Sequence, residues 1–122
     1  MQVLIVDDEP LIRWSMAETL AQVGHSVTEA HDAQEALERL SKGPTPDVIL
    51  LDFRLPDSCD LRLLETIRRM VPTSRIVMMT AYGSQEVLDN AVRLGVFRVI
   101  TKPVEMGELD LLVKAAFDSR LH

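Results

Sequence analysis

Short runs of apolar, β-branched residues recur along this chain at positions 3–6, 48–51, 76–79 and 96–100, the last interrupted by Arg98. Each is too short to be a helix and rich in valine and isoleucine, the pattern of a strand buried on both faces. A weaker strand is expected at 26–29. Between the runs, apolar side chains fall at helical spacing: Ile12, Met16, Leu20 and Val23; Ala33, Leu37 and Leu40; Leu61, Leu64 and Ile67; Val87, Ala91 and Leu94; Leu109, Leu112, Val113 and Ala116. Strand and helix alternating in this way imply an α/β domain with a parallel sheet covered by helices on both faces. The expected architecture is a five-stranded flavodoxin-like sheet in the order 2-1-3-4-5.

Glycine and proline punctuate the chain consistently with this reading. Gly24, Gly43 and Gly95 each follow a helical stripe, where a left-handed cap is expected. The 6 prolines lie at or between element ends, and Pro10 suits the first turn of a helix. Ser84 is expected to cap the fourth helix. With 122 residues, the chain is read as one domain spanning 1–122, long enough to bury roughly two-thirds of its unfolded surface.

Composition narrows the function. The balance of 19 acidic against 13 basic residues, a net charge of −6, argues against direct nucleic-acid binding by this chain. One cysteine, Cys59, excludes an internal disulfide. No apolar run is long enough for a transmembrane helix or a signal-peptide core, so the expected location is cytoplasmic, with no membrane partner.

Polar residues gather where the strands end. Asp7 and Asp8 follow the first strand, Asp52 the third, Thr80 the fourth, and Lys102 with Pro103 the fifth. Ligands of open parallel sheets bind beyond the carboxyl ends of the strands at the switch point in strand order, so these groups are expected to converge. Two unit charges about 4 Å apart repel by about 4 kcal/mol at an effective dielectric of 20. Three clustered carboxylates therefore require positive charge, which Lys102 and a hard divalent cation, Mg2+, would supply. Metal, lysine and hydroxyl beside a carboxylate form the arrangement that phosphoryl transfer requires, and the carboxylate itself can be the nucleophile. Taken singly, an Asp after a strand is an ordinary turn or cap residue; it is the convergence of all of them that points to a site.

These residues resemble the receiver domain of two-component response regulators over essentially the whole chain. The carriers are Val3-Leu4-Ile5-Val6-Asp7-Asp8-Glu9-Pro10, Asp47-Val48-Ile49-Leu50-Leu51-Asp52-Phe53-Arg54-Leu55-Pro56, Met79-Thr80-Ala81-Tyr82-Gly83 and Thr101-Lys102-Pro103. Ile12-Arg13-Trp14 adds a likeness to receivers of the NtrC type, which regulate transcription activators. The resemblance implies that Asp52 accepts a phosphoryl group from a sensor histidine kinase. It further implies that Asp8 ligates Mg2+ directly and Asp7 largely through water, with Asp52 and the carbonyl of Arg54 completing the protein ligands. Thr80 and Lys102 would contact the phosphoryl oxygens, Ala81 would leave the approach uncrowded, and a cis Lys102–Pro103 bond would hold the lysine. Such a receiver catalyses its own phosphorylation and dephosphorylation and is not an enzyme acting on a free substrate. The implied output is transcription regulation through C-terminal ATPase and DNA-binding domains.

Two positions depart from the family pattern. Val99 stands where the family carries an aromatic ring, and a β-branched side chain cannot swing between buried and exposed states as a ring does. Asp60 stands where glycine is usual, either tolerating a left-handed backbone or capping a helix in a locally different loop. Asp57 and Cys59 read as exposed loop residues, and His25, His31 and His122 as solvated. The spacing turns Trp14 away from the core. Leu88 and Val92 on the fourth helix, and Leu111 and Ala115 on the last, widen the apolar faces of those helices. Helix four, strand five and helix five are thus expected to form a partner or homodimer surface that depends on phosphorylation.

Alternatives of other classes are a magnesium-dependent phosphatase and a phosphorylation-independent interaction module. Phosphatases with a strand-end Asp nucleophile place a second Asp two residues on, where this chain has Arg54, and the intact Asp8, Asp52, Thr80 and Lys102 argue against a site-less module. A flavin reading fails for want of a phosphate loop after the first strand.

Overall fold

The computed structural model describes residues 1–58, 60–81 and 84–119. Strands β1 (Gln2–Val6), β2 (Ser26–Ala30), β3 (Val48–Asp52), β4 (Arg75–Thr80) and β5 (Arg98–Thr101) alternate with helices α1 (Pro10–Gln22), α2 (Ala33–Lys42), α3 (Arg62–Met70), α4 (Gln85–Arg93) and α5 (Leu109–Asp118). The sheet is parallel throughout, in the order β2-β1-β3-β4-β5, as the apolar runs imply.

Period-two alternation divides the strand side chains between two cores. Leu4, Val6, Ile49, Leu51, Ile76 and Met78 pack on one face, under Ala33, Ala36 and Leu40 of α2, Leu63, Leu64 and Ile67 of α3, and Ala91 of α4. Val3, Ile5, Val48, Leu50, Val77 and Met79 pack on the other, under Met16, Ala17 and Leu20 of α1 and Leu109, Val113 and Ala116 of α5. Anchorage is unequal: α3 buries three large side chains, whereas Ala91 is the only fully buried residue of α4. No described helix is long and apolar enough to cross a membrane.

The punctuation holds with one correction. Gly24 and Gly95 adopt φ of 97° and 92°, but Gly43 has φ −103° and ψ −176°. The chain leaves α2 in an extended conformation toward Pro44 and Pro46, and glycine serves there by leaving room, since an added Cβ would lie 3.0 Å from the Arg39 carbonyl oxygen. Gly95 also lies close to Arg68, whose Nε would be 3.2 Å from an added Cβ. Pro10 opens α1, and the Ser84 side chain accepts from the Val87 amide at 3.2 Å, capping α4. β5 begins at Arg98, not at Val96, because Val96 and Phe97 turn into the two cores before pairing with β4 starts at Val77. Val23 ends α1 and is exposed; Ala17 is buried in its place.

Other expectations sort clearly. Trp14 is 57% exposed, facing outward as its spacing requires. His31 is exposed and paired with Glu35 and Asp32. His25 is not solvated: its ring is buried, with Nε2 2.7 Å from Asp110 Oδ1, because the turn after α1 packs against the start of α5. The Asp60 carboxylate accepts from the Arg62 amide at 2.9 Å, at the start of α3. Asp57 is exposed but not idle: its two oxygens accept from the Ala33 and Gln34 amides at 2.8 and 3.1 Å, capping α2 from the β3–α3 loop. Cys59, Tyr82, Gly83 and His122 lie outside the described residues.

Candidate functional site

The sheet register assembles the site. Val6 pairs with Leu51, Asp52 with Met79, and Thr80 with Thr101, so Asp7, Asp52, Thr80 and Lys102 end up at the carboxyl edge of four strands. Backbone bonds continue just past the ladder: the Asp7 amide donates to the Ala30 carbonyl, Phe53 to Met79, and Lys102 to Thr80, at 3.0, 2.9 and 2.9 Å. Residues that read as loop in the sequence are thereby held almost as rigidly as the strands. The Lys102–Pro103 bond is cis.

One oxygen from each of Asp7, Asp8 and Asp52 lies within 4.8 Å of the others. Asp7 and Asp52 are buried and Asp8 is exposed, so the cluster has two inner acids and one facing solvent. Lys102 Nζ is 2.8 Å from Asp52 Oδ2 and 3.2 Å from Asp7 Oδ2. Glu9 Oε1 lies 3.5 Å from the same ammonium, a neighbour not anticipated although it directly follows the Asp pair. The second oxygen of Asp7 accepts from the Glu9 amide at 2.9 Å, and that of Asp52 from the Arg54 amide at 3.2 Å. Thr80 is buried beside them, Arg54 and Ala81 are exposed, and all the anticipated residues share one end of the sheet.

Burial, joined by repulsion from Asp7, pushes the Asp52 carboxyl above its ordinary pKa against the pull of Lys102. Burial by itself would lower the Lys102 pKa, but its bonds to Asp52 and Asp7 and their charges outweigh this and raise it. An oxygen-rich pocket with clustered carboxylates and a single described lysine suits a hard divalent cation, since hard cations take oxygen ligands and relieve like-charge repulsion. The donor set therefore fits Mg2+, with the carboxylates of Asp7, Asp8 and Asp52 as the clustered groups that could hold it.

Residues 3–114 match the family described as the response regulator receiver domain. The chain belongs to that family. This receiver is 40% identical to the response regulator protein PilR of Pseudomonas aeruginosa over 117 residues, covering 96% of the chain and 26% of PilR. It is 35% identical to the DNA-binding transcriptional regulator NtrC of Escherichia coli, covering 93% of the chain and 24% of NtrC. The receiver thus spans about a quarter of the length of these relatives. Among solved structures, NtrX from Brucella abortus superposes with a TM-score of 0.87 at 32% identity, over 98% of this chain and 27% of NtrX. A CheY-like receiver from Methanospirillum hungatei superposes with a TM-score of 0.92 at 30% identity, over 98% of this chain and 95% of that one. The likeness is to two-component signalling proteins of the NtrC type, and so to a signalling module and not an enzyme of substrate turnover.

Proposed function

We propose that this receiver is a phosphoryl-accepting switch in which Asp52 takes its phosphoryl group from a sensor histidine kinase in a Mg2+-dependent reaction. The observation that carries the reading is Lys102, whose ammonium bridges Asp52 and Asp7 at 2.8 and 3.2 Å within the three-carboxylate cluster. Bound Mg2+ would neutralise charge on the transferring group. Asp8 would hold that ion directly and Asp7 largely through water, with Asp52 and the Arg54 carbonyl completing the protein ligands. A carboxylate oxygen of Asp52 forms the new O–P bond while the P–N bond to the kinase histidine breaks, the electron pair leaving with the histidine nitrogen. Lys102 and the Thr80 hydroxyl contact the phosphoryl oxygens, and exposed Ala81 leaves the entry open. The domain itself catalyses both phosphorylation and its reversal.

The output follows from where Thr80 and Lys102 sit. Attraction of both toward a phosphoryl group pulls on the connections into α4 and around β5. Val92 on α4 and Leu111 on α5 are 61% and 69% exposed, and a groove of about 450 Å³ between β5 and α5 is lined by Ile100, Pro103, Leu111, Leu112 and Ala115. We read this face as the surface that forms a homodimer or engages ATPase and DNA-binding domains in a longer cytoplasmic transcription regulator, residues 1–122 being its receiver unit. Switching proceeds without an aromatic ring at Val99, which is packed against the core.

The test is incubation with acetyl phosphate and Mg2+ followed by intact-mass measurement. Wild type gains one phosphoryl group and Asp52→Asn gains none. Equal labelling of the variant removes Asp52 from its role, and sustained turnover of phosphate esters turns the reading toward a phosphatase.

A further inference from the structure

Arg13, on the first turns of α1, reaches back to the acidic cluster. Its Nη1 donates to the backbone carbonyl of Asp7 at 2.8 Å, and its Nε donates to Glu29 Oε1 at the end of β2 at 3.1 Å. The Arg13 side chain is 19% exposed and that of Glu29 42%, so the guanidinium is largely enclosed while its carboxylate partner faces solvent. The carbonyl it grips belongs to the peptide that joins Asp7 to Asp8. Every other polar group of Asp7 is also held: the amide by Ala30, one carboxylate oxygen by the Glu9 amide and the other by Lys102. With its carbonyl fixed as well, the plane of the Asp7–Asp8 peptide has one orientation, and that orientation fixes the point from which the exposed Asp8 side chain starts.

We propose that Arg13 is a positioning residue for the cation site, fixing the Asp7–Asp8 peptide while Glu29 fixes Arg13; this rests on the Mg2+ reading given above. Loss of an outer group that orients a metal ligand typically weakens metal binding by about 10- to 100-fold. Charge alone predicts the reverse. A guanidinium near a cation site repels the cation, so deleting it would tighten binding. Geometry and charge thus act on Mg2+ affinity with opposite signs, so the direction of the change on deleting Arg13 tells them apart.

The experiment is calorimetric titration of Mg2+ into the unphosphorylated receiver, with urea unfolding in chelator as the measure of fold. Arg13→Ala is expected to bind Mg2+ about tenfold or more weakly than wild type. Arg13→Met, which keeps the apolar stem but cannot donate, shows the same loss and serves if the alanine variant unfolds. Glu29→Gln keeps an acceptor for Nε while removing the charge, and stays close to wild type. If wild type takes up no Mg2+, the reading of the site fails and the proposal with it. If wild type binds but folded Arg13→Ala or Arg13→Met binds equally well or more tightly, the positioning role alone is overturned. A loss in Glu29→Gln as large as in Arg13→Ala likewise replaces geometry with charge.

Discussion

The ammonium of Lys102 lies 2.8 Å from Oδ2 of Asp52, although 50 positions separate the two residues in the chain. The same nitrogen reaches Asp7, 95 positions away, at 3.2 Å. One cation is therefore divided between two buried acids. Its charge is stabilised by both, while Asp52 still bears a net penalty for being ionised away from water.

Removing that cation exposes the penalty. Lys102→Ala leaves Asp7 and Asp52 buried side by side, and breaking a buried ion pair costs about 3–5 kcal/mol. The low end, about 3 kcal/mol, is expected because Asp52 can take up a proton instead. Urea unfolding in chelator measures the loss; a variant as stable as wild type would contradict the assigned electrostatics.

Asp8 should behave in the opposite way. Asp8→Asn removes one of three clustered charges, worth about 1 kcal/mol at 4 Å in a water-like dielectric, so the chelated variant should be slightly more stable than wild type. Saturation of wild type with Mg2+ at about 100 times its Kd adds about 2.7 kcal/mol, and the variant should forfeit most of that gain. Thermal melts with chelator and with Mg2+ separate the two effects; equal Mg2+ stabilisation of both proteins would remove Asp8 from the ligand set.

The raised pKa of Asp52 fixes the sign of a pH effect. A carboxyl whose folded pKa exceeds its unfolded value contributes stability at low pH, and that contribution is lost as pH rises through the folded value. In chelator, the unfolding free energy of Asp52→Asn relative to wild type should therefore increase as pH is raised from about 4 to about 7. Comparing the two proteins cancels the carboxylates of Glu35, Asp57 and Asp110, whose lowered pKa values act with the opposite sign. A difference that is flat or declines with pH would count against the burial of an ionised Asp52.

The output face can be separated from the fold. Leu111 is 69% exposed, so Leu111→Glu should change stability by no more than about 0.5 kcal/mol. Sedimentation with a non-hydrolysable phosphoryl mimic should show more dimer for wild type and no increase for the variant. A wild type that stays monomeric at high concentration would exclude self-association through this face.

Asp52, Thr80 and Lys102 were legible in the sequence only together: any one of them reads as a turn or cap residue, but polar residues ending several strands of one parallel sheet converge at its carboxyl edge. The sheet order was legible because alternating strands and helices leave few right-handed ways to wind a parallel sheet. What stayed hidden depends on contacts between distant segments or on the backbone. His25 gives no sign that Asp110, 85 positions on, will cover it. Asp57 looks like any turn residue until the α2 amides of Ala33 and Gln34 are seen beneath it. Arg13 was visible only as part of a motif, because its partner at Asp7 is a carbonyl oxygen, a group every residue carries.

The thin anchorage of α4 has a mechanical consequence. A clamp made of one buried alanine methyl resists displacement far less than the leucines and isoleucine that seat α3. Burial of a large apolar side chain is worth about 1.5–3 kcal/mol, and a methyl's worth about 0.8. A helix so loosely seated is compliant, and it begins only a few residues beyond Thr80. If Thr80 and Lys102 are drawn toward a phosphoryl group as proposed, α4 is the helix whose packing resists that pull less than the packing of α3 would.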